Sequence, residues 1–142
     1  MRYRGWTVVI GACMLAPVCG EAQQRSTLAG VFTDRQAARG KGLYQLKCRS
    51  CHTPEGHSAT IKAKWSGRAL SELFQYISES MPKDSPASLE PNEAVQALAY
   101  LLQTTGMPSG KDALPADSAA LSAIQFDTLT AKPGPTAGET KP

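Results

Sequence analysis

Two thiols and an imidazole stand close together in Cys48-Arg49-Ser50-Cys51-His52. Several chemistries compete for such a group. A C-x-x-C pair by itself suits a redox dithiol, half a zinc site or a short disulfide. A thioredoxin-like dithiol expects a βαβ setting, and no alternating strand pattern surrounds these residues. A structural zinc site needs four nitrogen or sulfur ligands. Cys13 and Cys19 lie in an apolar N-terminal segment, so only His52 and His57 would remain, and C-x-x-C-H-x4-H is tighter than the usual zinc arrangements. A disulfide across two intervening residues is strained. C-x-x-C followed at once by histidine is the covalent attachment pattern of a c-type haem. Each thiol can add to a vinyl group, and the histidine then lies beneath the iron. The expected chemistry is the holding of one redox-active iron, whose electronics follow from axial ligands, hydrogen bonds and burial.

The rest of the chain must position that group. One domain is expected for 142 residues. With 42% hydrophobic and only 6% aromatic residues, a core made of side chains alone is thin, and a large apolar cofactor is one way to complete it. Arg2 and Arg4, the uncharged stretch from Gly5 to Val18, and small residues around Gly20-Glu21-Ala22 read as a secretory signal peptide over residues 1–22. Cleavage is expected after Ala22. The apolar run is short for a membrane span, which takes about 20 residues; an uncleaved anchor or lipid attachment at Cys19 are the alternatives. Export places the thiols in an oxidising compartment, where a free pair would otherwise form a disulfide. Removal of residues 1–22 leaves 13 basic and 11 acidic residues. That balance is too small to argue for a nucleic acid or membrane surface as partner, and neither is expected.

Helical patterning dominates the mature chain. Residues 23–30 read as a linker. Thr33-x-x-Gln36 has the form of a capping box, and Ala37, Gly40, Leu43 and Tyr44 follow at helical spacing into Cys48. A second helix is expected after Ser66 or Gly67, with Leu70, Leu73, Phe74 and Ile77 on one face. A third starts near Pro91, a residue suited to a first turn, and carries Val95, Leu98, Ala99, Tyr100, Leu101 and Leu102. Gly106 is its expected terminator. From Lys111 the chain is rich in Ala, Pro, Thr and Ser and reads as a largely irregular tail. In that tail Leu114 to Phe126 could wrap the surface, and Thr128 to Pro142 is expected to be disordered.

With these features in place, residues 30–110 resemble a class I cytochrome c, an all-α fold of three main helices around one covalently attached haem. The resemblance rests on Gly30-Val31-Phe32-Thr33 with Gln36 to Gly40, the Cys48–His52 motif, Trp65-x-Gly67-Arg68-x-Leu70 with Leu73-Phe74, Met81-Pro82, Ala99 to Leu102, and Gly106-Met107-Pro108-x-Gly110. It is similar to single-haem cytochromes and subunits that accompany bacterial periplasmic dehydrogenases. The resemblance implies a cytochrome domain over 31–110 with haem c and its iron held by Cys48 and Cys51. It further implies His52 as proximal ligand, Met81 as distal ligand, and Trp65 near a haem propionate. A thioether is a soft neutral ligand, so Met/His ligation raises the reduction potential and closes both axial positions. Pro82 would restrict the ligand's loop. One departure is plain: the Gly-Pro pair whose carbonyl often receives the ligand histidine's N–H is missing from Thr53 to Lys64.

Met107, which also precedes a proline, and His57 are the rival axial ligands. Met107 falls in a segment that is structural in the family, and His57 reads as an exposed loop residue too near His52 to reach the other haem face. Gly40, Tyr44 and Tyr100 are expected at a crossing of the first and last helices. Lys41, Lys47, Arg49, Lys62, Lys64, Arg68 and Lys83 form an expected basic rim for an acidic partner. Two functions follow. The first is a periplasmic electron carrier, free or as a subunit, between a dehydrogenase and an oxidase or another cytochrome. The second is a haem enzyme or gas sensor with an open distal site. Few acid–base groups accompany the motif, so the expectation is an electron-transfer protein and not an enzyme.

Overall fold

Thr33 opens the first helix with its own side chain. It is extended (φ −98°, ψ 152°), and its hydroxyl accepts the Gln36 N–H at 3.2 Å, as an N-cap should. The structure is a computed structural model that describes residues 24–128; the expected signal segment, with Cys13 and Cys19, and the chain beyond Thr128 lie outside the described residues. Helix α1 runs Asp34–Lys47, α2 Pro54–Trp65, α3 Leu70–Ser80, α4 Pro91–Thr104 and α5 Ser118–Ser122. The described residues are mostly helical, and the fold is all-α.

Helices α1 and α4 form the central pair. Their approach depends on Gly40, because a Cβ there would overlap the backbone carbonyl of Gln96 and crowd Tyr100. One turn on, the Tyr44 ring meets the Tyr100 ring edge-to-face at 5.2 Å and 61°, a favoured aromatic geometry. Helix α4 begins with Pro91 and a true capping box, in which the Glu90 N–H donates to the Glu93 carboxylate at 3.1 Å. It ends in a Schellman motif: Met107 N–H donates to Leu102 O and Gly106 N–H to Gln103 O, with Gly106 at φ 88°.

Helix α2 was not expected. Its apolar content is low, with only Ile61 and Trp65 as large buried residues, so no helical stripe stands out. Its start signals are present: Thr53 caps the Gly56 N–H at 3.3 Å, and Pro54 fills the first turn. Helix α3 starts at Leu70, three residues beyond Gly67, and buries Leu70, Leu73, Phe74 and Ile77 as patterned.

The ends of the described chain depart most from expectation. The supposed linker forms a short strand β1, Arg25–Ser26, and a 3-10 turn, Thr27–Ala29; β1 pairs in parallel with β2, Ile124–Gln125. Far from being loose, the tail up to Thr128 buries Leu114, Leu121, Ile124, Phe126 and Thr128 itself. It is bonded to the α2–α3 corner by Gly67 N–H to Phe126 O (2.7 Å) and Phe126 N–H to Arg68 O (2.8 Å). Leu114 to Phe126 wraps the domain as a strap, and four apolar side chains spread over its thirteen residues suffice to seat it.

Gln36 explains why the first capping box is only half made. Its amide nitrogen donates to Leu114 O and its amide oxygen accepts Leu114 N–H, both at 2.9 Å and both buried. A backbone residue held inside a non-helical strap needs both partners, and one glutamine supplies them. Gln36→Leu should therefore destabilise the protein strongly, since an orphaned buried group costs about 1–3 kcal/mol and two are created. Urea unfolding checks this: the midpoint should fall well below wild type, and Gln36→Glu, which keeps one acceptor, should fall in between.

Candidate functional site

The cysteine motif winds around a single carbonyl. Cys48 is the C-cap of α1, its N–H donating to Tyr44 O at 2.9 Å. The Cys48 carbonyl then accepts from both Cys51 N–H (3.1 Å) and His52 N–H (3.0 Å). Thr53 at once caps α2. The motif is thus a fixed turn between two helix ends, and both cysteines are free thiols, Cys48 half-buried and Cys51 exposed.

Cys48, Cys51 and His52 line a cavity of about 730 Å³, within the 300–1,000 Å³ usual for cofactor sites. Ile61, Leu73, Ile77, Leu89, Ala97 and Leu101 give it apolar walls drawn from α2, α3, the α3–α4 connection and α4. Met81, the C-cap of α3, lines the same cavity with Pro82, Lys83 and Asp84. The helices therefore bring together every residue expected at the site, Trp65 included. Met107 is placed elsewhere: it is buried in the Schellman cap of α4 and does not line the cavity.

His57 requires a correction. It is not an exposed loop residue but a half-buried member of the first turn of α2. Its ring stacks on that of His52 at 4.1 Å and 13°, and its Nδ1 lies 3.1 Å from the Tyr44 hydroxyl. Burial, and then the neighbouring His52, hold its pKa down to about 4, so it is neutral near pH 7. Tyr44 also donates to the His52 carbonyl at 3.3 Å. Burial, with Cys48 next in weight, pushes its phenol up to about 12. This role for Tyr44 was missed; the signal was its position four residues before Cys48, on the same helical face.

The basic rim divides. Lys47 is bonded to Glu93 at 3.1 Å. Arg68 pairs with Glu72 and lies 4.4 Å over the Trp65 ring, while Lys64 lies 4.5 Å over Tyr76. Trp65 and Tyr76 themselves meet at 5.4 Å. Lys47, Lys64 and Lys83 border the cavity, whereas Lys41, Arg49 and Lys62 line a different groove, with Tyr44 and Tyr100 in its wall.

Two thiols, an imidazole and a thioether around a large apolar cavity fit a porphyrin with an iron centre, and their donor set is that of a haem held by sulfur and nitrogen. A helical fold around such a cavity is consistent with the all-α cytochrome c fold. A family model described as "Cytochrome C oxidase, cbb3-type, subunit III" matches residues 35–101, a stretch from α1 into α4 that contains the whole motif and Met81; the match is consistent with a single-haem c-type cytochrome domain. No curated protein and no solved structure matches the chain. Such domains bind haem c covalently, transfer electrons and work with redox partner proteins. Among the described residues no helix is long and apolar enough to cross a membrane.

The two thiols differ in environment. Burial raises the Cys48 pKa, partly offset by Lys47, and Cys51 is exposed. Because the thiolate is the reactive form, iodoacetamide should alkylate Cys51 well before Cys48 in folded, haem-free protein at neutral pH. Peptide mass spectrometry over a time course reads the order; equal rates would contradict the placement.

Proposed function

We propose that this chain is an exported single-electron carrier holding one haem c, bound through Cys48 and Cys51 with His52 and Met81 as axial ligands. The observation that carries this reading is the shared cavity. The turn after α1 and the end of α3, distant in sequence, both line one apolar space of about 730 Å³.

Each residue has a stated task. Thiol addition across two vinyl groups would tether the porphyrin to both ends of a turn whose backbone is already fixed. His52 offers an imidazole nitrogen from that turn. Met81 offers a neutral sulfur, which favours the ferrous state and raises the potential. The walls from Ile61 to Leu101 exclude water, and Trp65, at the end of α2, would offer its indole N–H to a propionate. When bound, the haem supplies the ferrous–ferric couple. With His52 and Met81 both holding the iron, the chain would pass electrons and turn over no substrate alone.

The donor would be a dehydrogenase and the acceptor an oxidase or another cytochrome. The matched family's description names an oxidase subunit, which supports work beside such a complex. Export rests on the signal-like residues 1–22, and sequencing of mature protein should begin at Gln23.

Met81 is the residue to test. In Met81→Ala the ferrous protein should bind carbon monoxide rapidly and the midpoint potential should fall, whereas wild type and Met107→Ala should bind it slowly. Fast binding by the wild type would instead support an open-site sensor or enzyme.

A further inference from the structure

We infer that His57 is a positioning residue that orients the His52 imidazole by stacking on it. The inference rests on the reading of His52 as axial ligand. A metal-bound histidine ordinarily has its second ring nitrogen held by a carbonyl, carboxylate or water. Among the described residues the His52 side chain makes no hydrogen bond; the main chain at His52 makes two, from its N–H to Cys48 O and to its carbonyl from Tyr44. The His52 ring does have a near-parallel neighbour, His57, at 4.1 Å and 13°. A flat ring at that distance opposes rotation of the imidazole about its Cβ–Cγ bond, because turning either way drives one edge into the stack.

His57 is itself held on two sides. It lies in the first turn of α2, with its N–H donating to Thr53 O at 2.9 Å, so its backbone is fixed by the helix that starts directly after His52. Its Nδ1 lies 3.1 Å from the Tyr44 hydroxyl. Tyr44 has one hydroxyl hydrogen, and it points to the His52 carbonyl at 3.3 Å. The consistent tautomer therefore has the His57 Nδ1–H donating to the Tyr44 oxygen. One phenol thus references both the backbone of residue 52 and the ring stacked on its imidazole. The phenol is in turn fixed by Tyr100 and by complete burial in the α1–α4 crossing.

The test uses the haem-loaded protein and low-temperature electron paramagnetic resonance of its ferric form, which senses the plane of an axial imidazole. Wild type and His57→Phe, which keeps a stacking ring, should each give one narrow low-spin signal at matching positions. His57→Leu fills the space without a flat ring and should give a broadened signal or more than one. Only the part of the stacking energy that differs between ferrous and ferric forms moves the redox equilibrium, so the ratio of reduced to oxidised His57→Leu at fixed ambient potential should change measurably, by up to about tenfold for a ring pair. If His57→Leu fails to mature, His57→Gln, which keeps a hydrogen bond to Tyr44 but no ring, should show the same heterogeneity. A spectrum and ratio unchanged in Leu or Gln, or Phe behaving like Leu, would overturn the stacking role while leaving the ligand reading intact. A wild type with no histidine-ligated low-spin signal would overturn the ligand reading and this inference with it.

Discussion

The close crossing of α1 and α4 sets the geometry on which the site depends. Gly40 lets the two backbones approach, and Tyr44, one turn further, fills the crossing and packs on Tyr100. From the same turn Tyr44 O accepts the Cys48 and Arg49 N–H groups, and its phenol bonds the His52 carbonyl. The helix that seals the core is thus also the ruler that places both thiols and the histidine. A side chain at residue 40 would separate the helices and shift the site as one unit.

A second constraint comes from the two ends of the described chain. The strap from Leu114 to Thr128 closes against β1 and the α2–α3 corner, and Thr27 exchanges hydrogen bonds with both backbone groups of Asp127 at 3.0 Å. Gln36 ties the start of that strap to α1. The strap therefore buttresses α3, whose far end carries Met81. Apolar residues that belong to the core, such as Ile61, Leu73 and Leu101, also wall the cavity. Protein interiors pack as densely as organic crystals, so a large apolar cofactor seated there would complete the core as well as serve it.

The legible parts of the chain were those with local signals. Thr33, Pro91 and Gly106 marked helix ends, and the spacing of Leu70, Leu73, Phe74 and Ile77 gave α3 its buried face. The motif pointed to haem chemistry, and Met81-Pro82 after α3 falls at the same cavity. Other features depended on contacts far apart in sequence. Helix α2 carries few apolar residues and shows itself only through its caps. The strap looked like a tail because Ala, Pro, Thr and Ser outnumber the residues that anchor it. Gln36 resembled a cap partner, but a carbonyl and an N–H 78 positions away took its amide. His57 looked exposed because nothing local announces that Tyr44 and His52 will converge on it.

Everything functional rests on a porphyrin joined by thioether bonds to the turn that closes α1. Intact mass and peptide mapping of protein matured in a host that attaches haem test this most directly. The protein should be coloured and heavier than the processed chain by a single haem, with the added mass confined to the peptide holding Cys48 and Cys51. A colourless product at the mass of the bare polypeptide, made in a host that loads a control cytochrome, would contradict it.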